Sequence, residues 1–492
     1  VNSQLPILLV IVPLLAAPLC LFIKKPTLVW LFASIVSVLA LLFSLIILSQ
    51  VWETGELVYS LGGWQAPIGI EYRIDLLNAY LSVIVAALAC ICLLAAYKSI
   101  GEEIKKGKQT LFYVTFLLCL AGMLGVVVTG DVFNLFVFME IAALSSYVLI
   151  AMGKNRKALI ASLTYLLVGT LGATFILIGI GLVYMLTGSL NMQDLSVLLL
   201  SAPQSNTLFT AFTFFFVGTC LKLALFPLHW WLPNAYTYAP SIVSVFLAAT
   251  ATKIAIYILL RVIFSLFGSE FSYHTLPLQN ILMTLGLAGI LVCSVIAIFQ
   301  QDLKQIFAYS SVAQVAYMML ALGMNNISGL MATLLHLFNH ALMKGALFLA
   351  LACIMYRLKS VQLSDIAGLG WQMPWTMAAI VIAGFSLIGL PLTVGFISKW
   401  YMLLASFENA WQPIALVILF GSLLAAVYIW RIVEKAYFSP LTTNNQHIKE
   451  APLALLVPTW LLVLANLYFG IDTRFSLSIS LHTAQMLLGV AP

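Results

Sequence analysis

Apolar runs of about twenty residues, the length that crosses a bilayer as a helix, recur down the whole chain. They fall near 5–23, 27–49, 76–97, 110–129, 132–152, 158–187, 206–228, 240–267, 278–300, 303–322, 328–357, 374–407, 412–438 and 452–470. In hydrocarbon every backbone N–H and C=O must be paired within the chain, which leaves helices or closed barrels; runs of this length exceed a barrel strand and fit helices. Soluble proteins are about one quarter charged; this chain is 8% charged and 63% hydrophobic, with a mean hydropathy of +1.10. The pattern predicts an all-α polytopic membrane protein of about fourteen transmembrane helices, with no soluble domain between them.

The net charge of +6 does not point to nucleic acid, because most Lys and Arg lie in short loops. Lys24 and Lys25 follow the first run, Lys98 to Lys108 the third, and Lys154 to Lys157 the fifth. Lys304 follows the ninth, Arg357 and Lys359 the eleventh, and Lys435 and Lys449 the thirteenth. Arg73 and Arg261 are exceptions in the opposite set of loops. The positive-inside rule then places both termini outside. VNSQLPILLV has no basic leader, so the first run is expected to be a retained span. The seven cysteines all lie in apolar runs and form no CxxC pair, which fits buried thiols better than zinc or disulfides.

Two loops carry their own patterns. Residues 52–75 alternate apolar and polar around Gly62 and Gly63 and predict an external β-hairpin, with Glu53, Glu56, Glu71 and Asp75 on a solvated face. Residues 188–203 predict a surface amphipathic segment. The loop 229–239 has no Lys or Arg, as expected of a segment that folds back into the protein.

Five ionisable groups sit deep in apolar runs: Glu140, Lys222, Lys253, Lys344 and Lys399. The other acids lie in loops or at helix ends, so one carboxylate faces four amines. Charges at membrane depth are costly and mark ion pathways; the bland alternative is a lysine that snorkels to the interface. Lys222 precedes Pro227, and Gly389 and Pro391 precede Lys399. Proline removes a backbone donor, so both helices are expected to break beside a lysine. Paired interrupted helices at matching places are the mark of inverted repeats with a central ion site. Here the repeats would be spans four to eight and nine to thirteen. His336, His340 and Lys344 share one helix face by their i, i+4, i+8 spacing. Histidine titrates near neutrality, which suits a proton relay; the alternative is hydrogen bonding to a packed neighbour. A metal site is disfavoured because no carboxylate or thiol completes the set. Ser145, Ser146, Tyr147, Tyr165, Ser310, Ser311, Gln314 and Tyr317 are secondary polar candidates. Asp302 and Lys304 sit at a helix start, where a helix cap with a loop charge is one reading and a functional pair the other. No phosphate loop, nucleophile elbow or cofactor motif occurs, so no cofactor is expected.

Glu140, Lys222 before LFPLHWWLP, Lys253, HLFNHALMKGALFL, QQDLKQIFAYSSVAQ and GLPLTVGFISKWY together resemble the antiporter-like proton-translocating subunits. That superfamily is shared by respiratory complex I, membrane-bound hydrogenases and the Mrp cation/proton antiporters. Within it the chain is similar to the D-type subunits of Mrp Na⁺/H⁺ antiporters in its length and in ending soon after span fourteen. The resemblance implies fourteen helices with two inverted five-helix repeats and discontinuous helices 7 and 12. The organisation is then 1–109 for helices 1–3 and the hairpin, 110–267 and 268–438 for the repeats, and 439–492 for helix 14 and the tail. It further implies a Glu140–Lys222 pair whose making and breaking moves a proton. Lys253 and the His336, His340 and Lys344 face would carry it towards Lys399. Lysine at 399 fits the D-type pattern, where some complex I relatives have glutamate. The implied partners are the other Mrp subunits, a hetero-oligomer of seven subunit types in the bacterial cytoplasmic membrane. A Na⁺ path would lie in those partners, since sodium wants oxygen ligands. The alternative is a proton-pumping subunit of a complex I-type or hydrogenase-type oxidoreductase.

Overall fold

The computed structural model describes residues 4–408, 410–441 and 447–490. Residues 1–3, on which the reading of the N-terminus partly rests, and 442–446, inside the expected C-terminal portion, lie outside the described residues. In chain order the helices are α1 (Leu5–Leu19), α2 (Pro26–Thr54), α3 (Leu76–Glu103), α4 (Gln109–Val128), α5 (Val132–Ala151), α6 (Lys157–Thr187) and α7 (Met192–Ser201). Then come α8 (Asn206–Leu223), α9 (Leu232–Tyr238), α10 (Ser241–Leu260), α11 (Leu278–Phe299), α12 (Leu303–Gly323) and α13 (Ile327–Leu358). The last are α14 (Leu369–Gln372), α15 (Pro374–Ile388), α16 (Val394–Glu408), α17 (Gln412–Val433), α18 (Leu453–Ile471) and α19 (Arg474–Leu488). Among the described residues, 13 helices are long and apolar enough to cross a membrane. The remaining expected span is divided into α15 and α16, each too short alone.

Helix ends follow local chemistry. Asp131, Asn191, Ser205, Asp302 and Asn326 each accept an orphan backbone N–H at the N-terminus of α5, α7, α8, α12 and α13. The two expected breaks occur. Helix α8 stops at Leu223 because Ala224 turns left-handed (φ 56°), and the chain resumes helically only at Leu232. Helix α15 stops at Gly389 (φ 90°), a conformation glycine adopts without a Cβ penalty. The segment 229–239 does fold inward: Trp231, Leu232, Ala235 and Tyr236 are buried. The hairpin also forms, with Leu57–Ser60 (β1) antiparallel to Glu71–Ile74 (β2) and Tyr59 opposite Tyr72. Glu53 and Glu56 are exposed as expected. Glu71 and Asp75 are not part of a solvated face. Glu71 is buried and accepts from Asn191 Nδ2 at 3.0 Å; Asp75 pairs with Arg261 at 2.7 Å.

The chain divides into two compact units. The first comprises 1–93, 104–224 and 250–277. In it α4 packs on α1 and α5, α5 on α6, and α6 on α8. The α6–α8 contact is close because glycines meet there: a Cβ on Gly218 would lie 2.6 Å from the Gly172 carbonyl oxygen. Gly218 is one turn before Lys222, so this contact fixes the height of the lysine. The second unit comprises 94–103, 225–249 and 278–492. Its centre is α13, whose apolar stretch is wholly buried and which packs on α12, α15, α16, α18 and α19.

Candidate functional site

In the first unit, α5 carries Glu140 and α8 carries Lys222 in its last turn. Lys222 Nζ donates to Glu140 Oε1 at 2.8 Å, and the two side chains are 20% (Glu140) and 8% (Lys222) exposed. Breaking a pair so placed leaves an uncompensated charge, which costs about 3–5 kcal/mol when the pair is fully buried. Ser146 Oγ donates to the Ala142 carbonyl one turn back, and Tyr147 meets Tyr165 edge-on at 4.6 Å. A cavity of about 50 Å³ is lined by Ser146, Tyr165 and Lys222 on one side and by Ala251, Ile254 and Ala255 of α10 on the other. One water needs about 10–15 Å³ of such space, so the cavity has room for a few. Lys253 lies on the same helix as that second wall, wholly buried, with its amine 3.3 Å from Thr252 Oγ1.

A second cluster in this unit escapes the sequence analysis. Arg261, a loop charge by its position in the chain, is buried at the end of α10 and donates to Asp75 Oδ1 at 2.7 Å and to Asn78 Oδ1. Asn78 Nδ2 donates to Tyr257 Oη at 2.9 Å, and Tyr257 Oη donates to the Val127 carbonyl. A signal for it exists: Lys253, Tyr257 and Arg261 repeat the i, i+4, i+8 spacing of the histidine helix.

In the second unit, His336, His340 and Lys344 lie on one buried face of α13. The two imidazoles stack at 6.0 Å with planes 5° apart. His336 Nδ1 shares a hydrogen bond of 2.8 Å with Ser398 Oγ, the residue before Lys399. At the other end Lys344 Nζ donates to the Phe307 carbonyl at 2.9 Å and to Ser310 Oγ at 2.5 Å. Lys399 has a different setting from Lys222. Its amine donates to the Leu387 and Ile388 carbonyls at 2.8 and 3.0 Å and to Ser422 Oγ at 2.9 Å. It also lies 4.9 Å from the centre of the Tyr317 ring. Those carbonyls are the last of α15, unpaired within the helix because the chain breaks there, and they carry its negative dipole end. Gly395 makes the approach possible, since a Cβ there would sit 1.8 Å from the Ser386 carbonyl oxygen. A cavity of 320 Å³ bounded by Lys399, Ser422, Phe396, Trp400 and Leu419 adjoins it.

The structure therefore joins Glu140 to Lys222, His336 to His340, and His336 to the neighbour of Lys399. It gives Lys344 a backbone and a hydroxyl acceptor. Lys304, expected as a loop charge, is instead buried, while Asp302 caps α12 as expected. All seven cysteines are buried free thiols.

The family model described as NADH:quinone oxidoreductase/Mrp antiporter, TM, matches residues 129–425. The N-type NADH-quinone oxidoreductase subunit of Desulforudis audaxviator is 40% identical over 96% of this chain and 96% of its own length. The D-type Na⁺/H⁺ antiporter subunit of Alkalihalophilus pseudofirmus is 30% identical over 99% of this chain and 97% of its own. Among solved structures, a chain of the membrane-bound sulfane sulfur reductase, an archaeal respiratory membrane complex, superposes with a TM-score of 0.89 at 29% identity. That match covers 99% of this chain and 98% of the other. A chain of the Mrp complex from a Dietzia species shares the fold, with a TM-score of 0.90 at 23% identity over 99% and 98% of the two chains. Matched over residues 129–425 by the family model, this multi-pass membrane chain belongs to the NADH:quinone oxidoreductase/Mrp antiporter transmembrane family.

Proposed function

We propose that this chain is the proton-translocating subunit of a multisubunit cation (Na⁺)/proton antiporter. It is a transporter subunit and not itself an enzyme. It sits in a bacterial cytoplasmic membrane with both termini outside, among other Mrp-type subunits that carry the sodium path. The observation that carries the reading is the 2.8 Å Lys222–Glu140 pair beside a helix break. The charged amine is held by the carboxylate; when the pair opens in apolar surroundings, the amine gives up its proton to nearby water. Lys253, the His336, His340 and Lys344 face, and Lys399 are the further proton carriers, and 110–267 and 268–438 are the two repeats.

Vesicles containing the whole complex test this. Glu140→Gln should all but abolish Na⁺/H⁺ exchange per assembled complex, because the amine loses the counter-charge whose making and breaking moves the proton. Wild-type exchange by an assembled variant would remove the pair from the mechanism. A second reading, a proton-pumping subunit of a quinone-linked oxidoreductase, is favoured by the 40% identity to an N-type oxidoreductase subunit. Flavin and iron–sulfur subunits co-purifying with the chain, and proton movement driven by quinone reduction without Na⁺, would select it.

A further inference from the structure

The turn 239–241 joins α9, the short helix beyond the first break, to α10. Two charges from elsewhere in the second unit hold it. Lys304, in the first turn of α12 and 2% exposed, donates from Nζ to the Ala239 carbonyl at 3.0 Å. That carbonyl closes α9. Ser241 opens α10, and its backbone N–H, which has no partner within the helix, donates to Glu103 Oε2 at 2.7 Å. Pro240 lies between and has no N–H to offer. The signs match the helix ends: a cation on the carbonyl side and a carboxylate on the amide side.

Both charges are themselves held in place. Glu103 Oε1 accepts from Ser99 Oγ at 2.8 Å. The Lys304 backbone N–H donates to Asp302 Oδ1 at 2.8 Å. Side chains finish the corner: Ser244 Oγ donates to the Tyr236 carbonyl at 2.7 Å, and Tyr236 Oη donates to the Leu247 carbonyl at 3.1 Å. Helix α12 also serves the relay face. Phe307 and Ser310, one and two turns beyond Lys304, receive the Lys344 amine. One helix thus carries both the acceptors of a relay lysine and the cation that holds the segment after the break.

We propose that Lys304 and Glu103 are positioning residues that fix α9 and tie its placement to the Lys344 acceptors on α12. The proposal rests on the proton-translocation reading for its functional half, while its structural half stands on its own.

The test uses the whole complex in vesicles, with two readouts for each variant: proton transport per assembled complex, and backbone hydrogen exchange over 232–244. Lys304→Met should speed exchange in that segment and cut transport by about tenfold, the scale of one charge-assisted hydrogen bond. Lys304→Arg, which keeps the charge and a donor, should hold both within about twofold of wild type. Unchanged exchange in Lys304→Met, or unchanged transport per complex, overturns the proposal. If Lys304→Met does not assemble, Glu103→Gln decides on the same readouts, since it keeps an oxygen for the Ser241 N–H and loses only the charge. Should the wild-type complex move no protons, the functional reading fails, and the exchange result still judges whether the pair positions α9.

Discussion

Lys222 and Lys399 solve one problem in two ways. Each is an amine beside a helix break in an apolar core. In the first unit the neutralising group is a carboxylate, Glu140, at 2.8 Å. In the second, no carboxylate among the described residues pairs with Lys399; its acceptors are the Leu387 and Ile388 carbonyls and the Ser422 hydroxyl. A carboxylate side chain can be moved away from the amine, so the first arrangement has a paired and an open state. Backbone carbonyls at a helix end cannot be neutralised, so the second offers a fixed, weaker field. The contrast separates a movable counter-charge from a fixed one.

The largest effect should come from dismantling the ion pair one half at a time. Lys222→Met leaves Glu140 without its cation and should destabilise the complex by up to about 3 kcal/mol, the low end for a buried pair since Glu140 is partly exposed, whereas the double variant with Glu140→Gln should recover much of that loss. Thermal unfolding of the four purified forms measures the coupling; additive losses would mean the two groups do not stabilise each other. A smaller effect is expected in the second unit. Lys399→Gln keeps an N–H donor for the α15 carbonyls, so stability should change by less than about 1 kcal/mol while transport falls about tenfold, because an amide carries no transferable proton. A stability loss as large as that of Lys222→Met would erase the difference between the sites. The smallest effect belongs to an exposed charge. Lys24→Ala, on a solvent-facing loop, should leave transport unchanged and stability within about 0.5 kcal/mol.

Much of this arrangement is legible without the fold, for identifiable reasons. Apolar runs of about twenty residues announce membrane helices because hydrocarbon demands paired backbone groups and a barrel strand is only about half that length. Pro227, and Gly389 with Pro391, announce the breaks because their backbone limits are intrinsic to the residue. The His336, His340 and Lys344 face follows from helical periodicity alone. Other residues mislead because their partners are distant in sequence. Glu71 looks solvated in an alternating loop, yet Asn191, 120 residues later, holds it. Arg261 looks like an orientation signal until Asp75 and Asn78 meet it. Lys304, beside Asp302 at a helix start, looks like surface charge and is buried against Ala239.

Composition, spacing and the special backbone residues were enough to determine the long helices, their interruptions and the ionisable groups set in the middle of apolar runs, since each depends only on the residue and its near neighbours. The tertiary structure alone decided what each of those groups touches. A lysine bonded to a carboxylate and a lysine bonded to helix-end carbonyls have the same one-letter code, and the acceptors that distinguish them are brought there by packing, many of them backbone atoms that every residue shares.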